Sequence, residues 1–137
     1  MTYYLYLEDL IIINGVSLDI ALTSDLLFKK IKIVLTDVDG VLTDGGMYYS
    51  VDGDVMKKFH ARDGMGISLL RKNNIPTVIV TKEKTKMVKH WAKKMNAKLF
   101  DGVLHKEEIL KKICTKYDVS PSEIAYIGDD VNDIELL

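Results

Sequence analysis

Reactive side chains recur just after short apolar segments of this chain. Asp37 and Asp39 follow the first such segment, Thr81 closes the second, and Lys106 lies just beyond the third. The acidic group that follows the fourth segment comprises Asp129, Asp130 and Asp133. In an open parallel sheet the loops at the carboxyl ends of the strands converge on one crevice. The sequence therefore predicts that these groups surround a single site.

The predicted set contains the parts that phosphoryl transfer needs. These parts are a nucleophile, a proton donor for the leaving group, cationic or hydroxyl donors to the phosphate oxygens, and a divalent cation. Magnesium takes oxygen ligands and keeps several waters, so Asp37 and Asp129 with one backbone carbonyl would suffice. An isolated Asp-x-Asp-Gly also makes ordinary turns. The ordered arrival of Thr81, Lys106 and Asp129 favours a Mg²⁺-dependent site over such a turn.

A strand–helix rhythm positions these residues. Short β-branched runs predict strands over residues 31–36, 77–81, 97–100 and 124–127, and helical periodicity predicts helices over residues 64–73, 83–95 and 106–117. Continuous apolar strands separated by helices indicate a parallel sheet with both faces covered and right-handed crossovers. The predicted fold is a doubly wound, Rossmann-like α/β domain.

Local signals refine this pattern. Asp52-Gly53 between two apolar stretches predicts a β-hairpin inserted over residues 46–59. Ser120-Pro121-Ser122-Glu123 predicts a short capped helical turn before the last strand. Asp63 is expected to cap a helix that begins at Gly64. The atypical first thirty residues predict strands over 3–7 and 11–13 and a short helix near 23–25.

Composition narrows the functional classes. The 137 residues fit one domain, predicted to span 1–137, and the net charge of -1 argues against nucleic acid as a partner. The apolar run at residues 10–13 is too short to cross a membrane, and no secretory signal pattern is present. The single cysteine, Cys114, excludes an intramolecular disulfide and favours a cytoplasmic location.

The order of motifs resembles the haloacid dehalogenase superfamily over residues 31–137. The resemblance rests on Asp37-Val38-Asp39-Gly40-Val41, Thr81, Lys106 and Gly128-Asp129-Asp130-Val131-Asn132-Asp133. The segments Thr43-Asp44-Gly45-Gly46 and Arg62-Asp63-Gly64-Met65-Gly66-Ile67 are similar to those of its capless sugar-acid phosphatase branch. The resemblance implies an α/β fold with no large cap domain.

The resemblance also implies a role for each matching residue. Asp37 would attack phosphorus to give an aspartyl-phosphate, and Asp39 would act as acid and base and offer its backbone carbonyl to Mg²⁺. Thr81 and Lys106 would hold phosphate oxygens, and Asp129 would bind the metal. Asp133 would orient Lys106 or a metal water, with Asp130 as a further supporting carboxylate. The implied reaction is hydrolysis of a small phosphorylated sugar acid of the 2-keto-3-deoxy type.

Substrate choice and assembly follow from the same resemblance. Thr81-Lys82-Glu83-Lys84-Thr85 is similar to a Thr-Gly-Glu-Lys-Thr segment of the branch, which makes Glu83 a candidate for substrate contact. Trp91 stands where the branch carries an arginine that reaches a neighbouring subunit's substrate. A homotetramer is expected, with the hairpins at its centre. Relatives continue for about one further strand and helix beyond the fourth motif.

Two other functions compete with a phosphatase. The first is a noncatalytic oligomerisation module, similar to the carboxyl-terminal domain of some acylneuraminate cytidylyltransferases. Retention of Asp37, Asp39, Lys106 and Asp129 argues against it, because a scaffold has no chemical use for them. The second is a phosphomutase, which would need further substrate-holding elements.

Overall fold

A computed structural model describes residues 28–129 and residue 133, and the elements within them follow the predicted rhythm. In chain order they are strand β1 (Ile33–Thr36), strand β2 (Tyr48–Ser50), strand β3 (Gly53–Met56), helix α1 (Ala61–Lys72), strand β4 (Thr77–Val80), helix α2 (Lys86–Met95), strand β5 (Lys98–Phe100), helix α3 (Lys106–Tyr117), a 3-10 turn (Pro121–Glu123) and strand β6 (Ile124–Ile127).

The main sheet has four parallel strands in the order β5-β4-β1-β6. All residues of the two central strands, β1 and β4, are buried, as expected where helices cover both faces of a sheet. The outer strands β5 and β6 are only partly buried. The doubly wound α/β fold predicted from the sequence is therefore confirmed.

Helices α2 and α3 pack on opposite faces of this sheet. Ile109 and Ile113 of α3 pack with Val78 and Val80 of β4, whereas the intervening Ile79 packs with α2 on the other face. This alternation follows from the two-residue period of a strand. The two clusters hold the sheet between the helices.

The predicted hairpin is also present. Strands β2 and β3 pair antiparallel, with Ser50 opposite Gly53 and a register irregularity between Tyr48 and Tyr49. Farther along, Thr43 forms an isolated antiparallel bridge with Phe59. The hairpin is thus inserted between β1 and α1 and is joined at its base to the loop that follows β1.

Two helix starts are corrected. Helix α2 begins at Lys86 rather than at residue 83, after its N-cap Thr85, whose hydroxyl accepts from the Val88 amide. Helix α1 begins at Ala61, not Gly64, and its N-cap is His60, whose Nδ1 accepts a hydrogen bond from the Arg62 amide at 3.1 Å. The expected cap, Asp63, lies inside the first turn of the helix. A charge there still favours the helix dipole. The predicted helix is present, but its start was placed three residues late, because the His60 side chain and not Asp63 caps it.

The predicted capping box before β6 is confirmed. The Glu123 carboxylate accepts hydrogen bonds from the Ser120 amide at 2.9 Å and from the Ser120 hydroxyl at 3.0 Å. The other Glu123 oxygen pairs with the Lys32 ammonium at 2.6 Å. This pair joins the start of β1 to the start of β6, so it reinforces the register of the two strands.

Several sequence predictions fall outside the described residues. They are the strands over 3–7 and 11–13, the helix near 23–25, and the placement of Asp130. Within the described part of the chain, no helix is both long and apolar enough to cross a membrane. The single-domain organisation over 1–137 stays a prediction.

We expect the contribution of the Lys32–Glu123 pair to folding stability to depend on pH. The hydrogen bond from Lys32, helped by those from Ser120, lowers the pKa of Glu123 from 4.5 to about 2. Stability from a depressed carboxyl pKa is complete above the unfolded value and is lost as the pH falls through the folded value. The urea midpoint of Glu123→Gln should therefore approach that of the wild type between about pH 4.5 and about pH 2. A pH-independent difference in urea midpoints would contradict this assignment.

Candidate active site

The loop after β1 carries the two aspartates of the first motif. The Asp37 amide donates to the carbonyl of Ile127 at 2.9 Å, so Asp37 extends the pairing of β1 with β6. Its Oδ1 accepts from the Val38 amide at 2.7 Å. The carbonyl of Val38 then accepts from the amides of Leu42 and Thr43, at 2.8 and 3.0 Å, which closes a tight turn. Asp37 is thus held by backbone groups on both sides.

A buried ammonium group faces this loop. Lys106 is the first residue of α3, and its Nζ lies 2.9 Å from Oδ2 of Asp37 and 3.0 Å from the hydroxyl of Tyr126. It also donates to Oδ1 of Asp133. Burial alone would lower the pKa of Lys106, but hydrogen bonds to Asp133 and Asp37 raise it overall. Lys106 therefore remains a cation between two carboxylates.

The charge of Asp37 reflects two opposing influences. Burial raises the pKa of the Asp37 carboxyl, while the hydrogen bond from Lys106 and that from the Val38 amide oppose the rise. An ammonium donor at hydrogen-bond distance favours the ionised form of a carboxylate. The ionised form is the one that can act as a nucleophile.

Asp133 holds this cluster together. Its side chain is completely buried, and its Oδ1 accepts from both Lys106 and the hydroxyl of Tyr126. Its Oδ2 accepts from the Asp129 amide at 3.1 Å. Burial, followed by the hydrogen bond to Asp133, raises the pKa of Tyr126 well above its usual range, so the phenol stays a neutral donor. Asp133 thereby holds the Lys106 ammonium in place.

Three carboxylates approach closely enough to test a metal site. One oxygen each from Asp37, Asp129 and Asp133 lies within 4.8 Å of the others. Both oxygens of Asp133 already accept hydrogen bonds, whereas Asp129 is exposed at the mouth of the site. Oxygen ligands of this kind suit Mg²⁺. The geometry therefore fits Asp37 and Asp129 as the carboxylate ligands of a divalent cation, with Asp133 behind them.

Glycine is required where the two motifs meet. Gly40 has a φ of 78°, and a Cβ built there would lie 1.7 Å from Oδ2 of Asp129. A side chain at position 40 would displace the Asp129 carboxylate. The Gly that follows the paired aspartates thus keeps room for the acidic group that follows β6.

Asp39 lies on the hairpin side of the loop. Its Oδ1 accepts from the Lys57 ammonium at 2.6 Å and from the Thr43 hydroxyl at 3.4 Å. The same Lys57 ammonium lies 2.9 Å from Oε2 of Glu83. Although burial lowers the pKa of Lys57, hydrogen bonds to Asp39 and Glu83 raise it overall. The acid/base candidate and the substrate-contact candidate therefore share one cation.

Thr81 follows β4 and is also buried. Its amide donates to the Phe100 carbonyl at 3.0 Å, and its hydroxyl accepts from the Glu83 amide at 3.3 Å. The hydroxyl keeps its own proton for donation elsewhere, which suits a phosphate oxygen. Thr81 thus also fixes the turn that carries Glu83.

Most predicted site residues occupy these contacts, but sequence reasoning missed two of them. Asp37, Asp133 and Lys106 are joined directly, and Asp39 is joined to Glu83 through Lys57. Tyr126 and Lys57 were not among the predicted residues. Tyr126 lies at the carboxyl end of β6, a position that could have indicated it. Lys57 lies on an inserted hairpin, for which strand-end reasoning gives no signal.

Known proteins with similar sequences were found for this chain. A family model described as haloacid dehalogenase-like hydrolase matches residues 61–137. The 3-deoxy-D-manno-octulosonate 8-phosphate phosphatase of Haemophilus influenzae is 37% identical over 107 residues, which are 77% of this chain and 59% of that protein. The corresponding protein of Salmonella typhi is 34% identical over 106 residues, which cover 77% of this chain and 56% of the relative.

Solved structures agree with the sequence relatives. The cobalt-bound phosphatase of Haemophilus influenzae superposes with a TM-score of 0.77 at 34% identity, covering 80% of this chain and 64% of that one. The 3-deoxy-D-manno-octulosonate 8-phosphate phosphatase of Moraxella catarrhalis, solved with a magnesium ion, a phosphate ion and a KDO molecule, superposes with a TM-score of 0.74 at 32% identity. That match covers 81% of this chain and 66% of the other. The chain spans less than two thirds of the length of its curated relatives.

The Gly40 contact gives a direct test of the metal site. Gly40→Ala and Gly53→Ala should each lose about 1–2 kcal/mol of unfolding free energy, because both glycines have a positive φ. Only position 40 has a carboxylate in the way, since nothing lies within 4 Å of a Cβ at Gly53. Calorimetric titration should show Mg²⁺ binding weakened about 10-fold or more in Gly40→Ala alone, the range of changes next to metal ligands. Equal Mg²⁺ affinities in the two variants would rule out Asp129 as a ligand.

Proposed function

This chain belongs to the haloacid dehalogenase-like hydrolase family, and on that premise we propose that it is a Mg²⁺-dependent phosphatase of a small phosphorylated sugar acid. One observation carries the proposal. A buried lysine, Lys106, holds the first aspartate of the Asp-x-Asp-Gly motif at 2.9 Å, while the second aspartate lies apart from that cluster on the hairpin side. Two aspartates in separate surroundings can serve as nucleophile and as proton carrier.

In the proposed reaction Asp37 attacks phosphorus. An oxygen of its carboxylate forms the new P–O bond as the bond to the sugar oxygen breaks, giving an aspartyl-phosphate. Asp39 supplies the proton that the departing sugar oxygen takes up. Asp39 then removes a proton from the water that hydrolyses the aspartyl-phosphate, which regenerates Asp37 and releases phosphate. This exchange of roles follows from microscopic reversibility of acid and base catalysis.

Other side chains neutralise the phosphoryl group. Lys106 supplies a positive charge, and Thr81 supplies a hydroxyl donor at the neighbouring strand end. Asp37 and Asp129, with the backbone carbonyl of Asp39, would hold Mg²⁺, which supplies charge neutralisation for the transferred phosphoryl group. The magnesium and phosphate bound by the Moraxella catarrhalis relative support this part of the proposal. Asp130 stays a prediction for a supporting carboxylate.

The substrate class is proposed from the relatives and from Glu83. Relatives named as 3-deoxy-D-manno-octulosonate 8-phosphate phosphatases act on a phosphorylated sugar acid. Glu83 lies at the mouth of the site, with its side chain 47% exposed, so one carboxylate can meet both Lys57 and a sugar hydroxyl. Trp91 stacks on Phe59 at a ring distance of 4.7 Å, so its side chain is committed to packing. We therefore place sugar recognition at Glu83 rather than at position 91.

The phosphatase proposal predicts metal-dependent turnover. With Mg²⁺ present, the protein should release phosphate from 3-deoxy-D-manno-octulosonate 8-phosphate or another member of a sugar-phosphate panel. Chelation of the metal should abolish the release, and Asp37→Asn should lower kcat by about 10³-fold or more, as for loss of a covalent nucleophile. Phosphate release is measured colorimetrically against time.

Glu123→Gln serves as the control, because its pair with Lys32 stabilises the strands at the opposite end of β1. It should retain turnover. If no substrate is turned over with Mg²⁺, or if Asp37→Asn is as active as the wild type, the phosphatase proposal fails. A noncatalytic assembly module would then be the better interpretation.

The hairpin supports a second part of the proposal, a homotetramer. Its apolar side chains are exposed in the single chain, with Met47 76% exposed, Tyr49 64% exposed and Val51 fully exposed. Several large exposed apolar side chains on one hairpin are typical of an interface between copies. A cytoplasmic location also stays a prediction, based on the lone Cys114.

The assembly is tested by light scattering after size exclusion. The wild type should elute as a tetramer at micromolar concentration, and Met47→Glu with Val51→Glu should shift it to smaller species, because buried charges oppose the interface. Glutamates at the exposed Lys82 and Lys111 serve as the control and should leave the mass unchanged. A monomeric wild type would contradict the homotetramer proposal.

A further inference from the structure

Lys57 presents a buried ammonium group at the edge of the site. Its side chain is only 7% exposed, although lysine rarely has a buried side chain without a charged partner. Its Nζ meets two carboxylates, Asp39 at 2.6 Å and Glu83 at 2.9 Å. The buried charge is therefore compensated, and its position is fixed from two directions.

The contacts of Asp39 are one-sided. The Lys57 ammonium and the Thr43 hydroxyl both donate to Oδ1. Among the described residues, the side-chain hydrogen bonds of Asp39 all fall on this oxygen, which leaves Oδ2 for exchange of a proton. An acid/base carboxylate needs this arrangement, because one oxygen must be anchored while the other faces the reacting group.

The hairpin holds Lys57 in place. Lys57 directly follows β3, and two residues later Phe59 bridges to Thr43 in the loop that carries Asp39. Phe59 also stacks on Trp91 of α2, with an interplanar angle of 11°. The backbone on the carboxyl side of Lys57 is thereby fixed to both the loop and the helix, so the ammonium has little freedom to leave Asp39.

We propose that Lys57 is a positioning residue of the reaction, delivered by the hairpin to anchor Oδ1 of Asp39 and so direct Oδ2 at the leaving-group oxygen. This role rests on the proposed phosphatase function. Its second partner, Glu83, fixes the ammonium from the other side and ties the acid/base residue to the substrate-contact residue. Mispositioning of a reacting group by about 1 Å can cost about 10²-fold in rate, so an anchor of this kind has a measurable effect.

Lys57→Met is the test variant. Methionine retains an unbranched apolar stem where the lysine stem is buried, and it leaves no orphaned buried donor. The two released carboxylates are 37% and 47% exposed, so water can solvate them and the variant should fold. Lys57→Arg keeps a cationic donor and serves as the conservative variant. Lys58→Met is the matched control, because Lys58 is 67% exposed and lies 3.6 Å from Asp44.

The first expected result is a split between turnover and phosphate binding. With 3-deoxy-D-manno-octulosonate 8-phosphate as substrate, Lys57→Met should lower kcat by about 10- to 100-fold. Its inhibition constant for orthophosphate should stay within about 2-fold of the wild type, because Lys106 and Thr81 are untouched. Lys57→Arg should recover part of kcat, and Lys58→Met should match the wild type.

A double-mutant cycle identifies the residue through which Lys57 acts. Activity is measured with p-nitrophenyl phosphate, whose leaving group needs no protonation, so that Asp39→Asn loses its assistance only in the hydrolysis of the aspartyl-phosphate and retains slow turnover. If Lys57 works by anchoring Asp39, adding Lys57→Met to Asp39→Asn should lower kcat by less than about 3-fold more. Full additivity of the two losses would instead indicate independent roles.

The outcomes separate the two proposals. A wild type that turns over neither substrate with Mg²⁺ overturns the phosphatase function and the role of Lys57 with it. An active wild type overturns the Lys57 inference alone if Lys57→Met retains full kcat, if its orthophosphate inhibition constant rises in step with the loss of kcat, or if the cycle is additive. A lowered kcat with unchanged orthophosphate binding and a non-additive cycle supports it.

Discussion

The rest of the site depends on the contacts that the Lys106 ammonium group makes with its carboxylate neighbours. This group lies between Asp37 and Asp133 with Tyr126 as a third partner, and Lys106 and Asp133 are buried. Removing a cation from such a cluster would leave two carboxylates close together in a poorly solvated space, which costs several kcal/mol by general experience of buried charges. The site is therefore an electrostatic unit. Asp37 is held by the lysine, the lysine by Asp133, and Asp133 by Tyr126 and the Asp129 amide.

The fold holds the cluster of Lys106, Asp37 and Asp133 in place. Strands β1 and β6 lie next to each other in register, so Asp37 and the segment after Ile127 begin at the same level of the sheet. Helix α3 begins at Lys106 itself and packs its apolar residues against the same strands, which fixes the stem of the lysine. A parallel sheet thus brings groups from three distant parts of the chain to one edge. The favourable free energy of packing the core offsets the cost of bringing these carboxylates and the ammonium group out of water and close together.

The residues at the carboxyl ends of the strands could be located from the sequence, because the strands themselves follow from the periodicity of apolar residues. Apolar runs located the strands, and the residues after them located Asp37, Thr81, Lys106 and the acidic group that includes Asp133. Side-chain partners across elements were harder to predict. Tyr126 lies one residue before the end of β6, so only that position could have indicated it, and the start of α1 depended on whether His60 or Asp63 took the cap. Lys57 belongs to the hairpin, which contacts α2 through the Phe59–Trp91 stack, a tertiary contact with no local signal.

The Phe59–Trp91 stack also gives a role to Trp91, which stands where the resembling branch carries an arginine. An arginine there could reach toward a substrate of another subunit, whereas Trp91 uses its ring to fix the hairpin against α2. Aromatic pairs contribute about 0.5–1.5 kcal/mol beyond their buried area, which favours the hairpin position seen in the structure. Fixing the hairpin places Lys57 between Asp39 and Glu83, and it also presents Met47, Tyr49 and Val51 to solvent. One packing contact thus links the proposed proton carrier, the proposed sugar contact and the proposed interface. The proposed substrate contact at Glu83 therefore depends on the order of the hairpin as well as on any single cation.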